Sequence, residues 1–166
     1  MPVLGDPAAY ELAHRAGLDA VDEQSATLRE TRDRAGALLS AAAVAAGLVA
    51  GLAFSTGRAI GWIGALGGSL SVVGFVGVVT TTVLIWRPTA GRFVHNAGVI
   101  VGSYVEGDPP LDLPEVHREL ALWLGDQAET NREAIEVRLE TFTWGLGFLL
   151  VEVAGAVIAL GGAVSG

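Results

Sequence analysis

The sequence predicts an all-α membrane protein with three transmembrane helices and a cytoplasmic helical stalk. Two observations on hydropathy and one on charge predict it. Residues 35–57 and 59–86 carry no charge, and each run as a helix is long enough to cross a hydrocarbon core of about 30 Å. A third run, 141–166, holds one charge-capable side chain, Glu152. Once these runs are spans, nine of the ten arginines fall on one side of the membrane.

Taken in order, residues 1–34 read as a cytoplasmic helix that starts near Pro7, with Asp6 as its N-cap. Its apolar positions Tyr10, Leu18, Val21 and Leu28 keep a sparse helical spacing. The first span covers 35–57. The second covers 60–86 and is longer than a bilayer needs, so it tilts or projects into the interface. The connection 87–141 begins with Pro88 and several glycines, and Phe93 to Val105 reads as an interfacial helix. A longer helix, about 112–141, has Pro114 in its first turn and an apolar stripe of Val116, Leu120, Trp123, Leu124, Ile135 and Leu139. No proline follows it, so it runs on toward the third span, 142–164. The two cytoplasmic helices both end at the membrane and are expected to lie parallel, as in a coiled coil. On their surfaces Glu129 with Arg132, Glu133 with Arg138 and Glu30 with Arg34 read as ordinary ion pairs of a solvated helix face.

Orientation follows the arginines. Arg15, Arg29, Arg32 and Arg34 precede the first span, and Arg87, Arg92, Arg118, Arg132 and Arg138 lie between the second and third. Only Arg58 is on the other side, which makes the arginine-rich face cytoplasmic and the C-terminus external. Trp86, Phe142 and Trp144 fit an inner aromatic belt, and Phe54 and Trp62 an outer one. The expected location is therefore the cell inner membrane. The 34 residues ahead of the first run do not resemble the short leader of a cleaved signal peptide.

Composition removes several function classes. Of 166 residues 51% are hydrophobic, and the mean hydropathy is +0.51. There is no cysteine, hence no disulfide, thiolate zinc site or thiol nucleophile. All ten basic residues are arginine, so a Walker-type phosphate loop and lysine catalysis are excluded. The net charge of −8 argues against nucleic acid. Both cytoplasmic pieces carry more acids than arginines, which discounts a polybasic lipid switch. His14, His95 and His117 are far apart without metal-ligand spacing and read as surface or packing histidines. No catalytic, metal or cofactor site is expected, and the partners expected are membrane lipid, further copies of the chain and a cytoplasmic protein.

Two features carry the functional reading. Small residues recur at four-residue spacing: Gly47 and Gly51 in the first span, Gly64 and Gly68 in the second, Gly155 and Ala159 in the third. Such stripes let helix backbones approach closely, within one chain or between copies. Glu152 lies about ten residues into its span, on a face with Gly145, Phe148, Gly155, Ala156 and Ala159. An ionised carboxylate there costs about 2.5–3.5 kcal/mol on insertion scales, so a largely neutral group facing another helix is expected. Ser69 and Ser71 of the second span are its candidate hydrogen-bond partners. The residues leave two roles open: an interhelical hydrogen-bonding group, or a proton-handling, ion-handling or gating group.

The layout also carries a resemblance. Residues Leu28 to Leu39 run straight from a helix into the first span, and the second span ends in Trp86-Arg87-Pro88. A cytoplasmic helix with Asn131, Leu139 and Phe142 then leads into the span that holds Glu152. This resembles small integral membrane proteins of high-GC bacteria and, more loosely, the transmembrane modules of antiviral effectors of the Pycsar and SLATT types. The resemblance implies a homo-oligomer that perturbs the inner membrane when a nucleotide-signalling partner activates it. The chain departs from complete effectors in having no segment that reads as a nucleotide-binding domain.

Overall fold

The computed structural model describes residues 6–56, 61–88, 97–107 and 111–164, and every element among them is helical. Helix α1 spans Pro7–Thr56, α2 Trp62–Trp86 and α4 Leu113–Val164. A short helix α3, Ala97–Ile100, passes into a π-helical turn, Val101–Val105, closed by the Glu106 N–H on the Val101 carbonyl. Three helices, α1, α2 and α4, are long and apolar enough to cross a membrane.

The long helices begin where capping chemistry places them. At α1 the Asp6 carboxylate accepts the Ala8 N–H at 3.1 Å, and Pro7 takes the first helical position, where no N–H is needed. At α4 the caps are reciprocal. The Asp112 carboxylate accepts the Glu115 N–H, and the Glu115 carboxylate accepts the Asp112 N–H. This is a capping box that satisfies two orphan donors at once. Neither helix contains an internal proline after its first turn, and both run on without a break into their apolar halves. Residues 57 and 60, at the expected span ends, and Phe93 to Asn96 of the expected interfacial helix lie outside the described residues.

The chain divides into two compact units. Unit 1 comprises residues 1–28 and 89–136, and unit 2 comprises residues 29–88 and 137–166, so α1 and α4 contribute to both. In unit 1 the two helices pair in parallel. His14 stacks on His117, Gly17 packs on Leu124, and the Gln24 amide donates to the Ala128 carbonyl at 2.8 Å. Val21 and Leu28 of α1 and Val116, Leu120, Leu124 and Ile135 of α4 are buried. Leu18, expected in the same stripe, is exposed, as is Leu139 of α4 in unit 2. The physical reason is the spacing. Buried or half-buried α1 positions 14, 17, 21, 24, 28, 31, 35, 38 and 42 alternate steps of three and four, and residue 18 falls off that line.

Surface ion pairs follow helix geometry more closely than the sequence suggested. Arg34 pairs with Glu30 at 2.6 Å as expected. Arg132 pairs with Glu136, one turn on, instead of Glu129. Arg138 is buried and donates to the Arg87 carbonyl at 3.1 Å, whereas Glu133 is exposed. The i, i+4 spacing explains the first two, and the three-four burial line of α4 explains the third. Each exposed pair contributes about 0–1 kcal/mol.

Candidate functional site

Unit 2 is organised around a seam of small residues between α2 and α4. The buried positions of α2 are Gly64, Gly67, Ser71, Gly74, Val78, Thr81, Thr82 and Ile85. Apart from Thr82, they again alternate steps of three and four, which keeps one face of the helix on one neighbour. The partner positions run antiparallel: Gly162 beside Gly64, Ala159 and Gly155 beside Gly67, Gly155 beside Ser71, Glu152 beside Gly74, Phe148 beside Gly77, Gly145 beside Thr81. The backbones touch. A methyl group added at Gly74 would stand 2.5 Å from the Glu152 backbone nitrogen, and one added at Gly155 would stand 2.5 Å from that of Ser71. Contact this close is open only to glycine, and in lipid it supplies the dispersion energy that holds helices together.

Gly64, Gly155 and Ala159 of the expected stripes are in this seam. Gly47, Gly51 and Gly68 are not: nothing lies within 4 Å of where their Cβ would be. The seam residues Gly67, Gly74 and Gly162 fall outside a strict four-residue spacing. The alternation of three and four was the signal that finds them.

Glu152 sits in the middle of the seam and is 0% exposed. Gly74 of α2 abuts its backbone and Cβ, and the Ala46 backbone of α1 approaches its carboxyl group. Neither carboxyl oxygen meets hydrogen-bond geometry with a partner among the described residues, the Ala46 backbone included. Ser69 does not supply one: it is exposed, and its hydroxyl donates to the Ala65 carbonyl in its own helix. Ser71 is buried on the seam, but no hydrogen bond joins it to Glu152 among the described residues. The same unit buries further hydroxyls. Thr81 donates to carbonyls of its own helix, and the Thr82 hydroxyl has no partner. Chemically the site is an ionisable carboxyl group in a buried, close-packed environment. A charge formed there has nothing to neutralise it, so ionisation and close packing of the seam oppose each other.

The histidines give a second cluster, in unit 1. His14 and His117 stack with ring centroids 5.4 Å apart and an interplanar angle of 11°; His95 lies outside the described residues. The His14 Nδ1 atom is buried without a hydrogen-bond partner. Among the described residues no group of three metal-ligating side chains assembles. Burial, and then the charge of His117, push the His14 imidazole below its ordinary value of 6.5. The unfolded chain therefore takes up this proton first as pH falls. The contribution of neutral His14 to stability is complete above about pH 6.5 and is lost as pH falls through the lower folded value. Amide hydrogen exchange in residues 10–20 and 113–124 should accelerate on acidification in the wild type, and His14→Gln should flatten that dependence. Equal acceleration in the variant would remove His14 as the cause.

No protein-family model matches this chain, and neither does any curated protein or solved structure.

Proposed function

We propose that the chain is a non-enzymatic, homo-oligomeric protein of the inner membrane that perturbs membrane permeability. In this reading Glu152 is the gating group. While its carboxyl is neutral the α2–α4 seam stays closed, and ionisation opens it. One observation carries the proposal: a completely buried carboxyl group, with no hydrogen-bond partner among the described residues, at the centre of a glycine-rich seam. A group used only to tie helices together would be hydrogen-bonded. An unpartnered ionisable group within an apolar span points to proton or ion handling. The open faces at Gly47, Gly51 and Gly68 support self-association, and the arginine distribution supports a cytoplasmic N-terminus. The perturbing role is also what the resemblance to antiviral effector modules implies.

Induced expression with a potential-sensitive dye tests this reading. The expected result is loss of membrane potential in cells making the wild-type chain; harmless accumulation in the membrane would count against it. A second reading, a membrane scaffold, is favoured by the apolar surface of unit 1, where Leu12 is 70% and Leu122 58% exposed along with Leu18 and Leu113. Leucines so exposed on a polar helix pair suit a protein partner. Harmless accumulation together with a stably bound cytoplasmic protein is the outcome expected of the scaffold.

A further inference from the structure

We propose that Glu152 exchanges its proton with one side of the membrane only, the side on which α4 ends, through the glycine half of the α2–α4 seam. The two directions along the seam away from Glu152 are built differently. Toward the arginines, large side chains fill the space between the helices. Leu38 and Val78 are buried there, and Phe142, Phe148 and Leu149 of α4 pack against them. The Phe148 ring closes over Gly77, and buried Val78 stands on α2 between Gly74 and the hydroxyls of Thr81 and Thr82. Away from the arginines, main chain meets main chain. The Cβ position of Gly155 is 2.5 Å from the Ser71 nitrogen, and that of Gly162 is 2.7 Å from the Gly64 nitrogen. Between these contacts Gly67 faces Gly155 and Ala159. Gly162 is about 15 Å along α4 from Glu152. Ser71 is the only buried side-chain hydroxyl in this half among the described residues.

A small separation of the helices has opposite consequences in the two halves. Where large apolar side chains meet, rotamer changes take up the gap, and any space left is apolar and stays dry. Where backbones meet, no side chain can swing into the gap. Carbonyl oxygens with a second lone pair line it, together with Ser71, and these are the polar partners that a water needs. Water therefore reaches Glu152 through the glycine half. The carboxyl releases its proton to that water and recovers it from the same side. No other titratable group faces it from the helices packed around it: residues 35–56, 62–86 and 141–164 hold no ionisable side chain besides Glu152. The inference rests on Glu152 being the gating group and on the spans lying in a bilayer; it adds which compartment's pH the group follows.

Single-cysteine variants test it without any background substitution, because the chain has no cysteine of its own. Ser71→Cys and Val78→Cys mark the two halves, and Arg34→Cys, at an exposed residue, marks the arginine side. A membrane-impermeant methanethiosulfonate is applied to right-side-out and to inverted membrane vesicles, at low and at high pH. Ser71→Cys is expected to react only in the orientation in which Arg34→Cys is protected. At high pH it should react about tenfold or more faster than Ser71→Cys combined with Glu152→Gln, a comparison at one pH that removes the thiol's own titration. Val78→Cys should react in neither orientation. Reaction of Ser71→Cys from the arginine side, faster reaction at Val78→Cys, or a Ser71→Cys inert at every pH would overturn the inference. Ion leak from the same vesicles carrying the wild-type chain, with pH changed on one side at a time, forms the second arm. The leak is expected to follow the side on which α4 ends. A leak that follows the arginine side would overturn the inference and leave Glu152 as the gate. A leak indifferent to pH on both sides would remove the gate itself, and the inference with it.

Discussion

Gly74→Leu and Gly155→Leu are each expected to break the packing of α2 against α4. At both positions the first atom of any side chain would stand 2.5 Å from a backbone nitrogen of the opposite helix. No rotamer change relieves such a contact, because the obstacle is main chain. The helices must separate along their length, and the dispersion contacts of the whole seam weaken together. Overpacking a well-filled core costs about 1–3 kcal/mol, and a backbone clash belongs at or above the upper end. Gly47→Leu, Gly51→Leu and Gly68→Leu meet open space and should leave the stability of the single chain within about 0.5 kcal/mol. They should instead reduce oligomer mass if copies associate through these faces. Unfolding in detergent, followed by helicity, separates the two groups; equal effects from both would mean that the seam does not hold unit 2 together.

Glu152→Leu is expected to stabilise the protein. The side chains are similar in volume, and the substitution removes two buried oxygens that have no hydrogen bond. Burying an unsatisfied polar group costs about 1–3 kcal/mol, so a gain in that range is expected for the unfolding free energy. Glu152→Gln keeps the shape but also the unsatisfied polar atoms, and should remain near wild type. Glu152→Lys should unfold unit 2, since a longer, charged side chain meets the Gly74 backbone with no partner for its charge. A loss of stability in Glu152→Leu would show instead that the carboxyl is held by an interaction that contributes to the fold. A gain would fit a residue that costs stability, as the proposed gating role requires.

Much of this architecture is legible in the sequence, for identifiable reasons. Length without charge marks the three apolar segments, because few other structures need more than twenty such residues in a row. Asp6-Pro7 and Asp112 with Glu115 mark helix starts through local hydrogen bonding, which needs no knowledge of the fold. Glu152 stands out as the only ionisable residue in any uncharged run. Pairings made across the chain were not legible. Glycines are common here, so Gly47 and Gly51 match the same pattern as true contacts yet pack on nothing among the described residues. His14 and His117 meet because α1 and α4 run parallel in unit 1, and their separation in sequence hides it. Arg138 looked like one more surface cation. Its place on the buried line of α4 is set by a step of three from Ile135, which only the three-four alternation reveals. The hydrogen bond expected from Ser69 or Ser71 to Glu152 failed for a related reason. Ser69 is two residues from the seam position Ser71 and so points to the opposite side of α2, and there its hydroxyl closes on its own helix.

Ion flux from proteoliposomes, measured for wild type and Glu152→Gln as pH is raised, tests the central claim most directly. Glutamine fills the same space and cannot ionise, so the pair isolates charge from packing. The account predicts a wild-type leak that grows with pH, and a Glu152→Gln protein of the same oligomer mass that stays closed throughout. A Glu152→Gln protein as leaky as wild type, or a wild type tight at every pH, would contradict it.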